Sequence, residues 1–170
     1  MSDAAGSVLL IGYGNPGRLD DGLGPALAER LERLGLPGVT VDSDYQLTVE
    51  DSAQVAAHDV AVFADAATDG DGPFYIRRIE PVHVASFSSH SVEPAAVLGL
   101  AHRLFGAETR GYVLGIRGYD FNEFGERLSD RARGNLAAAE AFVAGLLTNE
   151  RFRRGQVEPP GVEATNSGHR

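Results

Sequence analysis

The chain has 170 residues, 43% apolar content, no cysteine and a formal net charge of −9. That length suits one domain able to bury a core without covalent staples. The missing cysteines exclude disulfides, iron–sulfur clusters, zinc ribbons and a thiol nucleophile, and they fit a reducing cytoplasm. The negative charge argues against nucleic acid or an anionic membrane as a partner, and no segment approaches the roughly 20 apolar residues of a membrane span. Met1–Gly6 carries an acid and no base, so it does not read as a secretion signal.

In chain order, Ser7–Gly14 reads as a buried strand. Leu23, Leu27, Leu31 and Leu34 then fall at helical spacing, with Pro25 in the first turn and Gly35 and Pro37 as the stop. Val39–Tyr45 predicts a second strand, and Thr48 opens a short helix to about His58 with a capping-box pattern completed by Asp51. Val60–Ala64 is continuously apolar, as in a central parallel strand, and ends in Asp65. After a turn at Asp69–Pro73, Phe74–Ile79 predicts a fourth strand near a sheet edge. A polar loop, Ser86–Ser91, leads into a helix over about Val92–Phe105 with Val97, Ala101 and Leu104 on one face. Tyr112–Ile116 predicts a fifth strand, and Leu128–Leu147 a last helix with Leu136, Val143 and Leu147 inward.

Residues 1–150 therefore form one domain, and 151–170, holding Pro159-Pro160 and few large apolar residues, read as a disordered tail. Alternating strands and helices predict an α/β three-layer sandwich, a mostly parallel sheet of about five strands with helices on both faces. Ligands of such sheets bind beyond the carboxyl ends of the strands. The loops expected there contain Asp20 and Asp21, then Asp65, then His90.

The first of these loops poses a choice. Gly12, Gly14 and Gly17 match the G-x-G-x-x-G spacing of a dinucleotide-binding turn, with Asp42 or Asp44 as a ribose-binding acid. Yet Pro16 removes an amide donor, and the helix begins only near Gly22. Two like charges about 4 Å apart repel by roughly 4 kcal/mol at an effective dielectric of 20, so a pyrophosphate beside Asp20 and Asp21 is disfavoured. One of these acids suits an N-cap, and one cap suffices, which leaves the other to face the crevice. Asn15 suits either a turn or a hydrogen bond to a ligand. Tyr45, Phe87, Tyr119 and Phe121 lie near the same end, to close a core or meet a partner.

Taken in order, Gly12-Tyr13-Gly14-Asn15, Asp20-Asp21-Gly22-Leu23-Gly24, Ala64-Asp65-Ala66 and Ser88-Ser89-His90 resemble the nickel–iron hydrogenase maturation endopeptidases. Gly115–Phe121 and Gly125–Ser129 extend the likeness, which spans about Val8 to Leu147. The resemblance implies a cytoplasmic enzyme that trims a C-terminal extension from the hydrogenase large-subunit precursor. The nickel it senses is supplied by that precursor, with no organic cofactor. Carried over, the metal-sensing side chains are Asp21, Asp65 and His90, with Asp21 and Asp65 catalytic and Gly12, Gly14, Asn15, Asp20 and Gly22 shaping the loop or the substrate site. Well-studied members carry Glu where this chain has Asp21, one methylene shorter, and Asp20 is the alternative ligand.

Two carboxylates and an imidazole suit nickel and leave coordination positions open. With no cysteine and no recognisable serine triad, a carboxylate base acting on metal-polarised substrate is the expected chemistry. The free enzyme is expected to be a monomer. The competing classes are a nucleotide- or dinucleotide-binding enzyme and a non-catalytic module that binds the precursor.

Overall fold

The computed structural model describes residues 6–84 and 92–161. A five-stranded sheet has the order β2-β1-β3-β5-β4, from β1 (Val8–Tyr13), β2 (Val39–Asp44), β3 (Val60–Ala67), β4 (Phe74–Ile79) and β5 (Arg110–Arg117). The β1–β2, β1–β3 and β3–β5 pairs are parallel, and β4 closes one edge antiparallel to β5.

The central strands are apolar on both faces because both are covered. Val8, Leu10, Val60, Val62, Tyr112 and Leu114 point toward α1 (Leu23–Leu34) and α4 (Asp130–Leu147). Leu9, Ile11, Ala61 and Phe63 point the other way, toward α2 (Asp51–Ala56) and α3 (Pro94–Phe105). A 3₁₀ turn, Leu19–Gly22, leads into α1. Each parallel crossover returns the chain to the same end of the sheet, so the carboxyl ends of β1, β2, β3 and β5 share one rim.

Several boundaries differ from the sequence expectation. The third strand continues past Asp65 to Ala67, because the β5 ladder runs on to Arg117 and pairs Asp65 with Gly115. Asp65 thus sits within the strand. In α3, Leu98 is buried with Val97 and Ala101, whereas Leu104 is 61% exposed. Helix α2 covers only Asp51–Ala56, although the Thr48 amide does donate to the Asp51 carboxylate at 2.9 Å. Helix α4 starts at Asp130, where the Ser129 hydroxyl accepts from the Ala132 amide.

The largest correction concerns the C-terminus. Residues 151–161 are not a free tail. Asn149 caps α5 (Glu150–Arg153) by accepting from the Arg151 and Phe152 amides. The Phe152 ring is fully buried and lies 5.3 Å from that of Tyr112. Arg110 donates to the carbonyls of Phe152 and Arg153, and Glu158 accepts from both the Tyr112 hydroxyl and Arg78. One aromatic and a few buried polar anchors hold this segment, a pattern that composition does not reveal. The domain therefore extends beyond residue 150, and residues 162–170 lie outside the described residues.

Phe152→Ala leaves a cavity against Tyr112 and is expected to lower stability by about 3 kcal/mol. The measurement is a urea titration, with the midpoint lowered and the slope unchanged.

Candidate functional site

The glycine loop is built from its own backbone. The Gly14 amide donates to the Asp44 carbonyl, Gly17 to the Asn15 side chain and Arg18 to the Asn15 carbonyl. Leu19 donates to Gly125, Asp20 to Asp120 and Asp21 to Arg18, all through backbone carbonyls. The Asn15 amide donates to the Asp21 carboxylate at 2.8 Å. Pro16 has no N–H, so every amide from Gly14 to Asp21 has a partner inside the protein. None is presented to a phosphate, which removes the physical basis of dinucleotide binding at this turn. Asn15 acts here as a loop former, and its side-chain oxygen closes the turn onto Gly17.

The glycines serve close packing. A Cβ on Gly24 would collide with the carbonyl oxygens of Tyr13 and Ala64, and one on Gly12 would collide with the Gly24 carbonyl. The first turn of α1 can therefore rest directly on β1 and β3. Gly14 adopts φ 141° over the Asp21 carbonyl, a conformation that L side chains avoid, and Gly22 passes close to Pro16.

The two adjacent acids have separate fates. Asp20 is fully buried. Its carboxylate accepts from the amides of Tyr119 (2.8 Å), Asp120 (3.0 Å) and Ser129 (2.8 Å) and from the Ser129 hydroxyl (2.7 Å). Burial pushes this carboxyl up, but the amides of Asp120, Ser129 and Tyr119 and the Ser129 hydroxyl together hold it below its ordinary value. With four donors around it, Asp20 shapes the loop, and Asp21 is the member of the pair that faces the rim.

Asp21 and Asp65 come together there. Burial pushes the Asp65 carboxyl up. The Ala66 amide, 2.8 Å away, opposes this, while the charges of Asp21 and Glu93 add to it and a hydrogen bond from the Tyr13 hydroxyl subtracts a little. The net position is about 6, against an ordinary 3.8. Burial, with the charges of Asp65 and Glu93, raises Tyr13 further and keeps it a donor. Among the described residues, no basic side chain forms an ion pair with Asp21 or Asp65, and no group of three or more metal-ligating side chains is complete. His90, the third residue predicted from sequence, lies outside the described residues, as does Phe87.

Tyr13 and Glu93 were not singled out in the sequence. Tyr13 could have been found, because it follows Leu9 and Ile11 at every second position and so shares their face of β1. Glu93, just before Pro94 of α3, carried no local signal. Tyr119 is stacked between the guanidinium groups of Arg117 (4.7 Å) and Arg131 (3.9 Å), while Phe121 is half-buried and Tyr45 exposed.

Two hollows adjoin the glycine loop. One of about 250 Å³ lies between Gly14, Asp44 and Tyr45, and another of about 410 Å³ runs past Leu19, Glu126 and Leu128. They share Pro16, Pro25 and Ser43, so they form one groove along the rim. A larger hollow of about 570 Å³ lies at the opposite end of the sheet, around His58, Arg110 and Arg153. Arg110 and Arg153 donate there to backbone carbonyls, and the paired carboxylates are not part of it.

An α/β sandwich with a carboxylate pair at the carboxyl rim of its sheet is the class of protein these features define. No protein-family model and no curated protein matches the chain. Solved structures do. The [NiFe] hydrogenase maturation protease HycI from Thermococcus kodakarensis superimposes with a TM-score of 0.64 at 22% identity, over 84% of this chain and 92% of that one. The hydrogenase 2 maturation peptidase from a Thaumarchaeota archaeon gives 0.62 at 19% identity, over 82% and 97%. The hydrogenase maturating endopeptidase HybD from Escherichia coli gives 0.58 at 22%, over 80% and 88%. The chain has the fold of these hydrogenase maturation proteases, spanning nearly their whole length.

The two acids predict opposite stability effects. Asp20→Asn replaces a buried acceptor by an amide whose N–H groups face four donors, and is expected to destabilise by roughly 3 kcal/mol or more. Because the Asp20 carboxyl is held low, its contribution is present above its unfolded pKa and is lost as pH falls through the folded value. Asp65 is the reverse. Between pH 3.8 and about 6 the folded chain holds a proton that the unfolded chain releases, so folding weakens as pH rises through that window. Asp65→Asn should raise the unfolding free energy at pH 8 by at most roughly 3 kcal/mol, read as a higher urea midpoint, and leave it unchanged well below pH 3.8.

Proposed function

We propose that this protein is an endopeptidase that removes a C-terminal extension from the large-subunit precursor of a [NiFe] hydrogenase. The observation that carries this reading is the meeting of Asp21 and Asp65. Asp21 stands in the 3₁₀ turn that follows β1 and Asp65 stands on β3, at the carboxyl rim of a sheet whose fold is shared with such proteases, with no basic side chain paired to either among the described residues. Burying a carboxylate beside two others is unfavourable unless a proton or a cation joins it. A metal ion carried in by the precursor meets that need, so the substrate itself completes the site.

In this reading the ion belongs to the substrate. Asp21, fixed by the Asn15 amide, and Asp65, fixed by the Ala66 amide, take up two of its open positions, and His90 is the expected third side chain. Water adds to the scissile carbonyl carbon and its proton passes to a rim carboxylate. The C–N bond breaks as that proton reaches the leaving amine, so the carboxylate is regenerated. Asp65, raised to about 6 in the metal-free chain chiefly by burial, is brought back toward its ionised form by the arriving cation, so it meets the substrate as a carboxylate able to accept this proton. In this reading a single copy of the chain works in the cytoplasm on its protein partner; no helix in the described residues is long and apolar enough to cross a membrane.

The test is incubation with nickel-loaded precursor, followed by mass spectrometry. Shortening of the precursor is expected with the wild-type chain and not with metal-free precursor. Asp21→Asn and Asp65→Asn should each slow cutting by at least about a hundredfold. Undiminished cutting by either variant would remove the carboxylate mechanism, and a stable complex without shortening would mark a binding module instead. Titration with NAD(P) is expected to show no binding, since the loop amides are already engaged.

A further inference from the structure

The row of residues that contains Asp65 crosses the whole sheet. Gly12 pairs with Ala64, so Tyr13 stands level with Asp65 on the neighbouring strand. Asp65 pairs with Gly115 of β5, and Gly115 pairs with Tyr75 of β4. Residues level with one another on paired strands face the same side of a sheet. Tyr13, Asp65, Gly115 and Tyr75 therefore line one face, the one that carries Leu9, Ile11 and Phe63.

Gly115 leaves a notch in this row, and Tyr75 fills it. A Cβ on Gly115 would fall on the far end of the Tyr75 ring, with the hydroxyl oxygen 2.7 Å away. The phenol thus reaches back over β5, and its hydroxyl lies about one strand spacing, near 5 Å, from the strand of Asp65. It is close enough to affect the ionisation of Tyr13 on the far side of Asp65. The Arg77 guanidinium sits 5.4 Å from the ring centroid and steadies it from the solvent side. Tyr75 is 37% exposed, and its hydroxyl forms no hydrogen bond with a described residue.

We propose that Tyr75 is a substrate-positioning residue whose hydroxyl donates a hydrogen bond to a backbone carbonyl of the peptide presented to Asp21 and Asp65, and that Gly115 is a glycine to admit it. The assignment rests on the endopeptidase reading and adds a residue to it. Its chemical logic is the balance of donors. When ionised, Asp21, Asp65 and Glu93 offer acceptors only, and the Tyr13 hydroxyl is turned toward Asp65. A peptide backbone carries carbonyl oxygens as well as N–H groups, so a rim of acceptors alone would leave the carbonyls without partners. Tyr75 supplies an accessible donor in the same row.

The experiment measures kcat and KM for cleavage of nickel-loaded precursor by wild-type, Tyr75→Phe, Gly115→Ala and the double variant. Tyr75→Phe keeps the ring in its notch and removes only the hydroxyl, so its urea midpoint should equal that of wild type. Loss of a hydrogen bond made equally in ground and transition states is expected to raise KM about tenfold with kcat nearly unchanged. Gly115→Ala displaces the ring and should give a similar defect, and the double variant should be no worse than Gly115→Ala alone. If Gly115→Ala does not fold, Tyr75→Phe decides the matter unaided. Wild-type KM in Tyr75→Phe would overturn the tyrosine assignment and leave the endopeptidase reading standing. A loss confined to kcat would also overturn it. Failure of the wild-type chain to cut would overturn the endopeptidase reading, and this one with it.

Discussion

The carboxylate of Asp20 sits out of reach of solvent among four protein donors. Three of those donors are main-chain amides from the segment between β5 and α4, far along the chain from the glycine loop. One side chain therefore joins the 3₁₀ turn, the loop after β5 and the cap of α4. The joint is reinforced by backbone bonds between Gly125 and both Gly17 and Leu19. Leu19, at φ 51°, is held in the left-handed region between these bonds. Such a residue persists only where its surroundings over-determine it. The position of Asp21 on the rim follows from this anchoring, because it is the next residue along a backbone that has no freedom left.

Electrostatics divides the neighbouring acids in opposite senses. Around Asp20, oriented amides replace water, so the charge is favourable although buried. Around Asp65, burial is offset by fewer donors and reinforced by the charges of Asp21 and Glu93, so the ionised form is disfavoured. A carboxyl that resists its own charge is relieved by a proton or by a cation. The sheet supplies the precision. Tyr13, Asp65 and Tyr75 hold their spacing through strand pairing, which is stiffer than any loop.

The other end of the molecule is closed by different means. Arg110, Arg153 and Glu158 tie residues 150–161 to β4, β5 and the start of β1, with Phe152 as the apolar plug. Nearly all of the polar groups there point to protein partners, whereas the carboxyl rim keeps its acids unpaired with bases among the described residues. That asymmetry distinguishes the two ends of the sheet more clearly than the size of the hollows does.

Much of this was legible from residue order alone. Continuous apolar runs specified buried strands, four-residue leucine spacing specified α1, and the alternation of the two implied a parallel sheet with a common carboxyl rim. That periodicity comes from local geometry, which neighbouring residues determine by themselves. The approach of Asp21, in the turn after β1, to Asp65 of β3 followed from the same topology. What residue order could not do was tell Asp20 from Asp21, because adjacent acids share propensity, charge and cap chemistry. Only partners about a hundred residues away make one a buried anchor and leave the other at the rim. For the same reason the anchoring of Phe152, the approach of Glu93 and the seat of Tyr75 over Gly115 were decided by tertiary structure. Each depends on which side chains strand pairing and helix packing bring side by side.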